Sequence, residues 1–404
     1  MDVYGAMKRW GRLRLPVIHG LCACLLLSAC GSLSTTDLDA TDIAAAARPK
    51  SGTLQAEVDA LARPMVDSGH TPGVAIGVML PDGSQHFYGY GLADQGNGLT
   101  PDGDTLFAIG SLSKEYLAAV TALVVDEGVL SWDDTLEKLL PPGTKLSPDA
   151  AKITLLQLAT HTSGLPRQPM TPQTLRYFAE YLWDGESFYR HFDTQYTLDY
   201  LADFSTSSQG VPQYSNIGYG LIGYILELHT GKTVDALLAE KITGPLGLHC
   251  TGYEPDSLPC NATRARGYAG DQPKFIKRGH PTPDWQFTHL MRGSAGLHST
   301  ARDLLTFASA HMKGQDTRFN GVLASNLRVR VPQAKEAAAV AWVVDDIGGE
   351  IITYQIGIVA GYTSYVGIDL AHHTAVVVLQ NSFNWDNSVG HKILLRLAHM
   401  PQPG

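Results

Sequence analysis

A serine, a lysine, a tyrosine and an asparagine stand in this chain at spacings that could do nucleophilic chemistry. Ser111 and Lys114 form the only Ser-x-x-Lys in 404 residues, inside Phe107-Ala-Ile-Gly-Ser-Leu-Ser-Lys-Glu-Tyr-Leu117. At the start of a helix, residues i and i+3 share a face, so the amine can lie against the hydroxyl. A hydroxyl attacks a carbonyl poorly unless a neighbour takes its proton, and a desolvated lysine can take it. Alone, a serine after a glycine is also an ordinary N-cap, and most lysines face water. A second piece supports the chemical reading. Tyr214-Ser215-Asn216 is the only Tyr-x-Asn in the chain and follows the loop Gly210-Val-Pro-Gln. A phenol there can relay or accept a proton if an adjacent ammonium lowers its pKa, and the Asn216 amide can grip a carbonyl. No Gly-x-Ser-x-Gly elbow competes for the nucleophile.

The elements that must position these groups can be read from apolar spacing. Leu54–Val66 has helical periodicity, and Gly73–Leu80 with Gln85–Tyr90 reads as a hairpin around Pro81-Asp82-Gly83. From Asp126 to about Gly270 the chain is helical with Pro/Gly punctuation, including Ile153–His161, Ile217–Leu228 and Val234–Leu238. The aromatic-rich stretch Arg167–Ser208 reads as packed cover helices or as a substrate-facing lid. Gly293–Leu297 precedes a helix at Ala301–Met312, and Ala339–Val344, Glu350–Gln355, Ser364–Asp369 and Thr374–Gln380 read as antiparallel strands before a closing helix at Asn387–Met400. Strands at both ends with helices between them predict an α+β fold: one sheet built from the two chain termini plus an inserted all-helical lobe.

These motifs resemble the serine β-lactamase/penicillin-binding-protein superfamily, in its class C-related branch of β-lactamases, D-Ala-D-Ala carboxypeptidases and esterases. Besides Ser-x-x-Lys and Tyr-x-Asn, Leu158-Ala-Thr-His-Thr-Ser-Gly-Leu-Pro166, Gly244-Pro-Leu-Gly-Leu248 and Ala295-Gly-Leu-His-Ser-Thr-Ala-Arg-Asp303 look like family landmarks. The resemblance implies an antiparallel sheet flanked by helices, with a sheet lobe at about 51–115 and 290–400, a helical lobe at about 116–289, and the active site between them. It implies Ser111 as the acylated nucleophile, Lys114 and Tyr214 sharing its deprotonation, and Asn216 positioning substrate. The oxyanion hole would be the backbone N–H groups of Ser111 and Ile358, each such donor contributing about 3 kcal/mol. Two routes stay open. A neutral Lys114 takes the proton, which needs its pKa lowered from about 10.4 by roughly 3, some 4 kcal/mol; or Lys114 stays charged and Tyr214 is the base.

One departure from the family pattern matters. Where the strand facing the serine usually carries Lys-Thr-Gly or His-x-Gly, this chain has Gln355-Ile-Gly-Ile-Val-Ala-Gly-Tyr-Thr-Ser364. Gly357 and Gly361 keep the close backbone approach, but Gln355 supplies no charge. β-Lactams and D-Ala-D-Ala ends carry a carboxylate near that position, and losing a charge-assisted bond costs roughly 1.5–3 kcal/mol. Arg292 and Arg264 are candidate replacements. His161 and the pair His372-His373 are expected to be structural or surface histidines.

The remaining expectations concern address and partners. Lys8, Arg9, Arg12 and Arg14 precede an apolar Leu15–Leu27 run, too short and interrupted to span a membrane comfortably. It ends Leu27-Ser28-Ala29-Cys30, which resembles the lipobox of bacterial lipoproteins, so residues 1–29 are expected to be a signal peptide and Cys30 the lipidated residue; a plain secretory signal cut near Ala29 is the alternative. Gly31 in place of an aspartate favours, by the same resemblance, the periplasmic face of the outer membrane, and residues 30–50 a flexible tether. Formal net charge is −9, and loss of the leader, with four basic side chains and one acidic, takes it to −12; nucleic acid is a poor partner for such a chain. Of five cysteines, Cys250 and Cys260 remain once Cys22, Cys24 and Cys30 are accounted for. In an oxidising compartment they should close a short disulfide loop worth roughly 2–3 kcal/mol. No metal or organic cofactor is expected, because no Cys-x-x-Cys or His-Glu-x-x-His occurs. The function these residues predict is an extracytoplasmic serine hydrolase, acting through an acyl-enzyme on a small-molecule or peptide amide or ester. A D-Ala-D-Ala-type peptidase leads, with β-lactamase, carboxylesterase, or a catalytically weak peptide-binding scaffold as alternatives; substrate and oligomeric state stay open.

Overall fold

The chain's first hairpin pairs β1 (Gly73–Met79) with β2 (Gln85–Gly91), antiparallel from Gly73↔Gly91 to Met79↔Gln85. Its turn closes through Leu80 N to Ser84 O at 3.0 Å, and Gly83 adopts the left-handed φ of 81° that the turn requires. The computed structural model describes residues 33, 38–49, 52–314 and 316–400. The short strands β3 (Phe107–Ala108) and β4 (His298–Ser299) pair with each other apart from the main sheet. The C-terminal third supplies β5 (Ala337–Ala338), β6 (Val343–Ile347), β7 (Glu350–Val359), β8 (Tyr362–Asp369) and β9 (Thr374–Gln380). Together they make a seven-stranded sheet ordered β2-β1-β9-β8-β7-β6-β5, every pairing antiparallel.

The β1–β9 pairing, Val74↔Gln380 through Met79↔Ala375, joins the two ends of the chain in one sheet, as the strand pattern predicted. Both faces of the sheet are covered, which is why β1 and β9 read as unbroken apolar runs. Val74, Ile76, Val78, Val376 and Val378 face a core built with the Leu54–Asp67 and Val389–Ala398 helices. Ala75, Met79, Ala375, Val377 and Leu379 face the other way, onto the Ala301–Met312 helix and the helical lobe. That lobe contains the helices Ser113–Asp126, Pro172–Asp184, Thr194–Ala202, Asn216–Thr230 and His289–Ala295.

Two local expectations are corrected. The strand expected over Ala339–Val344 begins only at Val343, in β6, because Ala341 turns the chain at a φ of 69° while its N–H bonds Ala159 O at 3.0 Å. The helix expected at Ala301–Met312 is present, and Gly293 to Ala295 before it end a further helix that starts at His289, capped by the Thr288 hydroxyl. Part of the expected tether is also ordered: Ala40–Ala46 is a helix whose N-cap Asp39 accepts from Thr41 N and Asp42 N. It lies against the Val389–Ala398 helix, where Lys392 sits 3.6 Å from Asp42. Ile43 packs on Gly348, and an alternation of Asp and Ala conceals that apolar contact in the sequence. The leader and Cys30 lie outside the described residues. Cys250 and Cys260 are disulfide-bonded, their Cα atoms 5.7 Å apart.

Candidate active site

Ser111 sits in a short 3-10 turn, Gly110–Leu112, between β3 and the Ser113–Asp126 helix. Gly110 makes the turn possible: its φ is +52°, and a Cβ there would lie 2.9 Å from Ile358 N and 3.0 Å from Ile358 C. The turn is clamped on several sides. Ser113 Oγ donates to Gly110 O at 2.6 Å and accepts from Leu297 N at 3.0 Å, while Ser364 Oγ donates to Ile109 O at 2.7 Å. Gly357 is also required, since a Cβ on it would meet Ile109 O at 2.0 Å. These contacts bring the backbone of Ile358 up to the residue preceding the serine, on the stretch of β7 beyond Tyr354 where β6 has ended.

Lys114 is fully buried, one turn along the same helix face. Its Nζ lies 3.1 Å from Ser111 Oγ and donates to Ser294 O at 2.7 Å. Burial pushes this amine well below its ordinary pKa; the Arg167 charge pushes the same way and Glu115 opposes it. Tyr214 closes the group, with its ring centroid 4.9 Å from Lys114 Nζ. Burial raises the phenol's pKa, against the pull of Arg167 and of Ser111 hydrogen bonding. The Tyr214 loop is set by His161, whose Nδ1 accepts from Ser215 N at 3.1 Å and whose ring lies 4.4 Å from the Tyr214 ring. His161 is buried and its pKa is held well below normal by desolvation, so its part is to position the loop. His372 bonds Asp369 at 2.8 Å just past the end of β8, with Glu350 3.5 Å away, and His373 occupies a left-handed turn position.

Asn216 opens the next helix, capped by the Ser215 hydroxyl, and its Nδ2 donates to the Tyr189 hydroxyl at 2.6 Å. Its Oδ1 is buried with no hydrogen-bond partner among the described residues, an acceptor left over for an N–H. Gln355 is placed differently from the expectation of a substrate-binding side chain. It is 1% exposed, its Nε2 donates to Ala341 O at 2.6 Å, and its Oε1 accepts from Ile356 N at 2.9 Å. With both ends of the amide committed to the backbone of Ala341 and Ile356, it is not free to bind a ligand. Neither expected replacement cation is free: Arg292 is paired with Asp235 at 3.1 Å and with Glu254, and Arg264 with Asp284 at 2.8 Å.

Four participants escape sequence inspection. Ser294 supplies the carbonyl for Lys114, and Tyr189 the hydroxyl for Asn216. Glu115 is buried beside Lys114 and raised to about 8 by desolvation, a neutral acid at pH 7. Arg167 places its guanidinium carbon 4.5 Å from the Tyr214 ring centroid. A signal for Arg167 existed, because it directly follows the landmark ending at Pro166.

Comparison with known proteins bears on the family and the fold. The Beta-lactamase family model matches residues 58–399. Among curated relatives, penicillin-binding protein 4 of Amycolatopsis lactamdurans is 29% identical over 247 residues, 60% of each chain. The D-alanyl-D-alanine-carboxypeptidase/endopeptidase AmpH of Escherichia coli K12 is 28% identical over 59% of this chain and 57% of its own length. The alignments thus span about three fifths of these relatives' length. In structure, a class C beta lactamase from Rhodobacter sphaeroides superposes with a TM-score of 0.70 at 23% identity, over 84% of this chain and 98% of that one. A beta-lactamase/D-alanine carboxypeptidase from Pseudomonas syringae gives the same TM-score at 21% identity, over 87% and 99%. These two establish the shared fold.

Proposed function

The chain belongs to the beta-lactamase family, and on that premise we propose that it is a serine hydrolase working through an acyl-enzyme on Ser111. The observation that carries this reading is the 3.1 Å separation of Lys114 Nζ from Ser111 Oγ, inside a site that strips the amine of water. A neutral amine has two N–H donors and one lone pair. Ser294 O takes a donor, and the lone pair takes the Ser111 proton as Oγ attacks the substrate carbonyl. The N–H groups of Ser111 and Ile358 hold the oxyanion. Tyr214, kept protonated by burial, gives its proton to the leaving nitrogen or oxygen and recovers the one that Lys114 took from Ser111, the ammonium lying beside the phenol ring. Water then attacks the acyl ester, releasing the acid and restoring the serine. Between the two routes left open by the sequence, this assigns Lys114 as base and Tyr214 as acid.

We further propose a D-Ala-D-Ala-type peptide as substrate. The orphan Asn216 acceptor fits a peptide N–H, and AmpH is named for that activity. The leader and Cys30 support a lipid-anchored, extracytoplasmic protein on the periplasmic face of the outer membrane; intact-mass analysis of membrane-extracted protein should show an acylated Cys30, and an unmodified N-terminus would refute it. The enzymatic reading is tested by a fluorophosphonate adduct on Ser111 and by Ser111→Ala profiled against nitrocefin, a p-nitrophenyl ester and a D-Ala-D-Ala peptide. Full activity in the alanine variant would end it, and the preferred probe decides between peptidase, β-lactamase and esterase.

A further inference from the structure

The site holds one cation with nothing to bind. Arg167 is half-buried at the lip of the loop that follows Pro166, and among the described residues its guanidinium has no carboxylate and no hydrogen-bond partner. Three other arginines near the helical lobe are consumed: Arg292 by Asp235 and Glu254, Arg264 by Asp284, Arg190 by Asp184. Within the site itself, Lys114 is driven towards neutrality and Glu115 towards its protonated form. Among the described residues, Arg167 is therefore the cation beside Tyr214 that the fold leaves without a partner.

Its placement is built rather than incidental. The backbone carbonyls of Pro166 and Arg167 are both tied to the Tyr-x-Asn segment. Ser215 Oγ donates to Pro166 O at 2.9 Å, and Asn216 N donates to Arg167 O at 3.0 Å. The two loops are thus riveted on the residues that flank Tyr214 on its C-terminal side, and the rivets deliver the guanidinium to 4.5 Å from the phenol ring centroid. A guanidinium keeps its charge at any working pH and presents its donors in a fork that fits a carboxylate bidentately. A cation resting on an aromatic face keeps those in-plane donors free for such a partner. Meanwhile the β7 side chain that could have met an anion, Gln355, is turned inward with both amide atoms engaged.

We propose that Arg167 is a specificity-determining residue that binds a carboxylate carried by the substrate next to its scissile bond. It does from the loop what an uncharged, inward-turned Gln355 cannot do from the strand. This rests on the serine hydrolase reading above. The carboxylate could sit on the leaving group, as at a free peptide C-terminus, or on the acyl side.

The test separates these sources and separates the proposal from its premise. Wild type, Arg167→Gln and Arg167→Lys are assayed for kcat/KM on four peptides. Two are an acyl-D-Ala-D-Ala free acid and its C-terminal amide; two are the amide with an N-succinyl or an N-acetyl cap next to the scissile residue. A neutral p-nitrophenyl ester is run alongside. Wild type should prefer one acid over its neutral twin by roughly tenfold to a hundredfold, the range for a charge-assisted bond. That ratio should fall to about one in Arg167→Gln and recover in part in Arg167→Lys; because each ratio is taken within one variant, any effect of the lost charge on Lys114 and Tyr214 cancels from it, and an unchanged urea-unfolding midpoint reports intact folding. Preference in the first peptide pair places the carboxylate on the leaving group, and in the second on the acyl side. The proposal is overturned if wild type turns over the ester but shows no acid preference, or if the preference survives in Arg167→Gln. It is overturned together with its premise if Ser111 takes no fluorophosphonate and no substrate is cleaved.

Discussion

Replacing Lys114 by methionine separates the catalytic role of the amine from its structural cost. The side chain is 0% exposed and makes two polar contacts, to Ser111 Oγ and Ser294 O. Methionine of similar length fills the space without an amine. Losing two hydrogen bonds costs about 0.5–1.5 kcal/mol each, and the stranded Ser294 carbonyl roughly another 1–3 kcal/mol. Against this stands the cost of burying an amine that water would protonate, about 1.4 kcal/mol for each pH unit by which its folded pKa is depressed. The absolute stability difference at one pH mixes these terms, but its slope isolates the last. The folded-state pKa is lowered, so between that value and the ordinary 10.5 the unfolded chain holds a proton that the folded chain does not. Wild-type stability must therefore rise with pH relative to Lys114→Met, by up to about 1.4 kcal/mol per pH unit, and level off near 10.5.

Urea unfolding of both proteins from about pH 7 to about pH 10, read as the difference in extrapolated free energy, measures that slope. Acylation is measured in parallel by stopped-flow burst kinetics on a p-nitrophenyl ester. Removing the base should slow it by roughly 10²–10⁴-fold. Tyr214→Phe should leave this step nearly intact, because an aryl oxide leaves without a proton, yet slow amide cleavage by a comparable 10²–10⁴-fold. A flat stability difference across that pH range would mean that Lys114 is a charged residue in the fold. Equal loss of ester acylation in both variants would move the base to Tyr214. Either result refutes the assignment.

Gly110→Ala forces a Cβ into a left-handed turn, costing about 1–2 kcal/mol, and within 2.9 Å of Ile358 N. β7 must then back away from Ser111, and acylation should fall by roughly 10²–10³-fold; a fewfold change would remove Ile358 from the oxyanion hole. Glu115→Gln tests the buried acid: its folded pKa is raised from 4.5 to about 8, so wild type should lose stability relative to the variant as pH rises between those values, by up to about 1.4 kcal/mol per unit, and hold level above them. A constant difference across the window would show that Glu115 stays ionised. Cys250→Ser with Cys260→Ser opens a loop of sequence separation 10 and should cost roughly 2–3 kcal/mol in chemical unfolding with little effect on kcat; an unchanged midpoint would mean that the bridge is not formed in solution.

Much of this site was legible because its parts are local. Ser111 and Lys114 are one helical turn apart, and the Gly-Ser pair before the helix signals the turn that exposes the hydroxyl; no long-range contact is needed to see the pairing. The same holds for β1 and β9, whose unbroken apolar runs can only be strands covered on both sides. What could not be read is what depends on partners far along the chain. The stretch Ala339–Val344 has strand composition, but the carbonyl of Ala159 recruits the Ala341 N–H and breaks the ladder there. Gln355 was visible as a missing charge, yet whether its amide faced the cleft depended on the Ala341 carbonyl behind it.

The choice of replacement cation shows the limit most clearly. Arg264, Arg292 and Arg167 are equivalent as letters; they differ in which carboxylates the fold brings to them. Arg264 and Arg292 lie on segments facing Asp284, Asp235 and Glu254, so their charge is spent holding the helical lobe together. Arg167 lies on a loop whose neighbours are Tyr214, Tyr189 and His161, all of them neutral, so its charge persists. A charge that moves from a strand to a loop leaves its trace in pairing rather than in position. A reading of this family's members that scans only the strand facing the serine would therefore miss a carboxylate site wherever the free cation has been supplied from elsewhere.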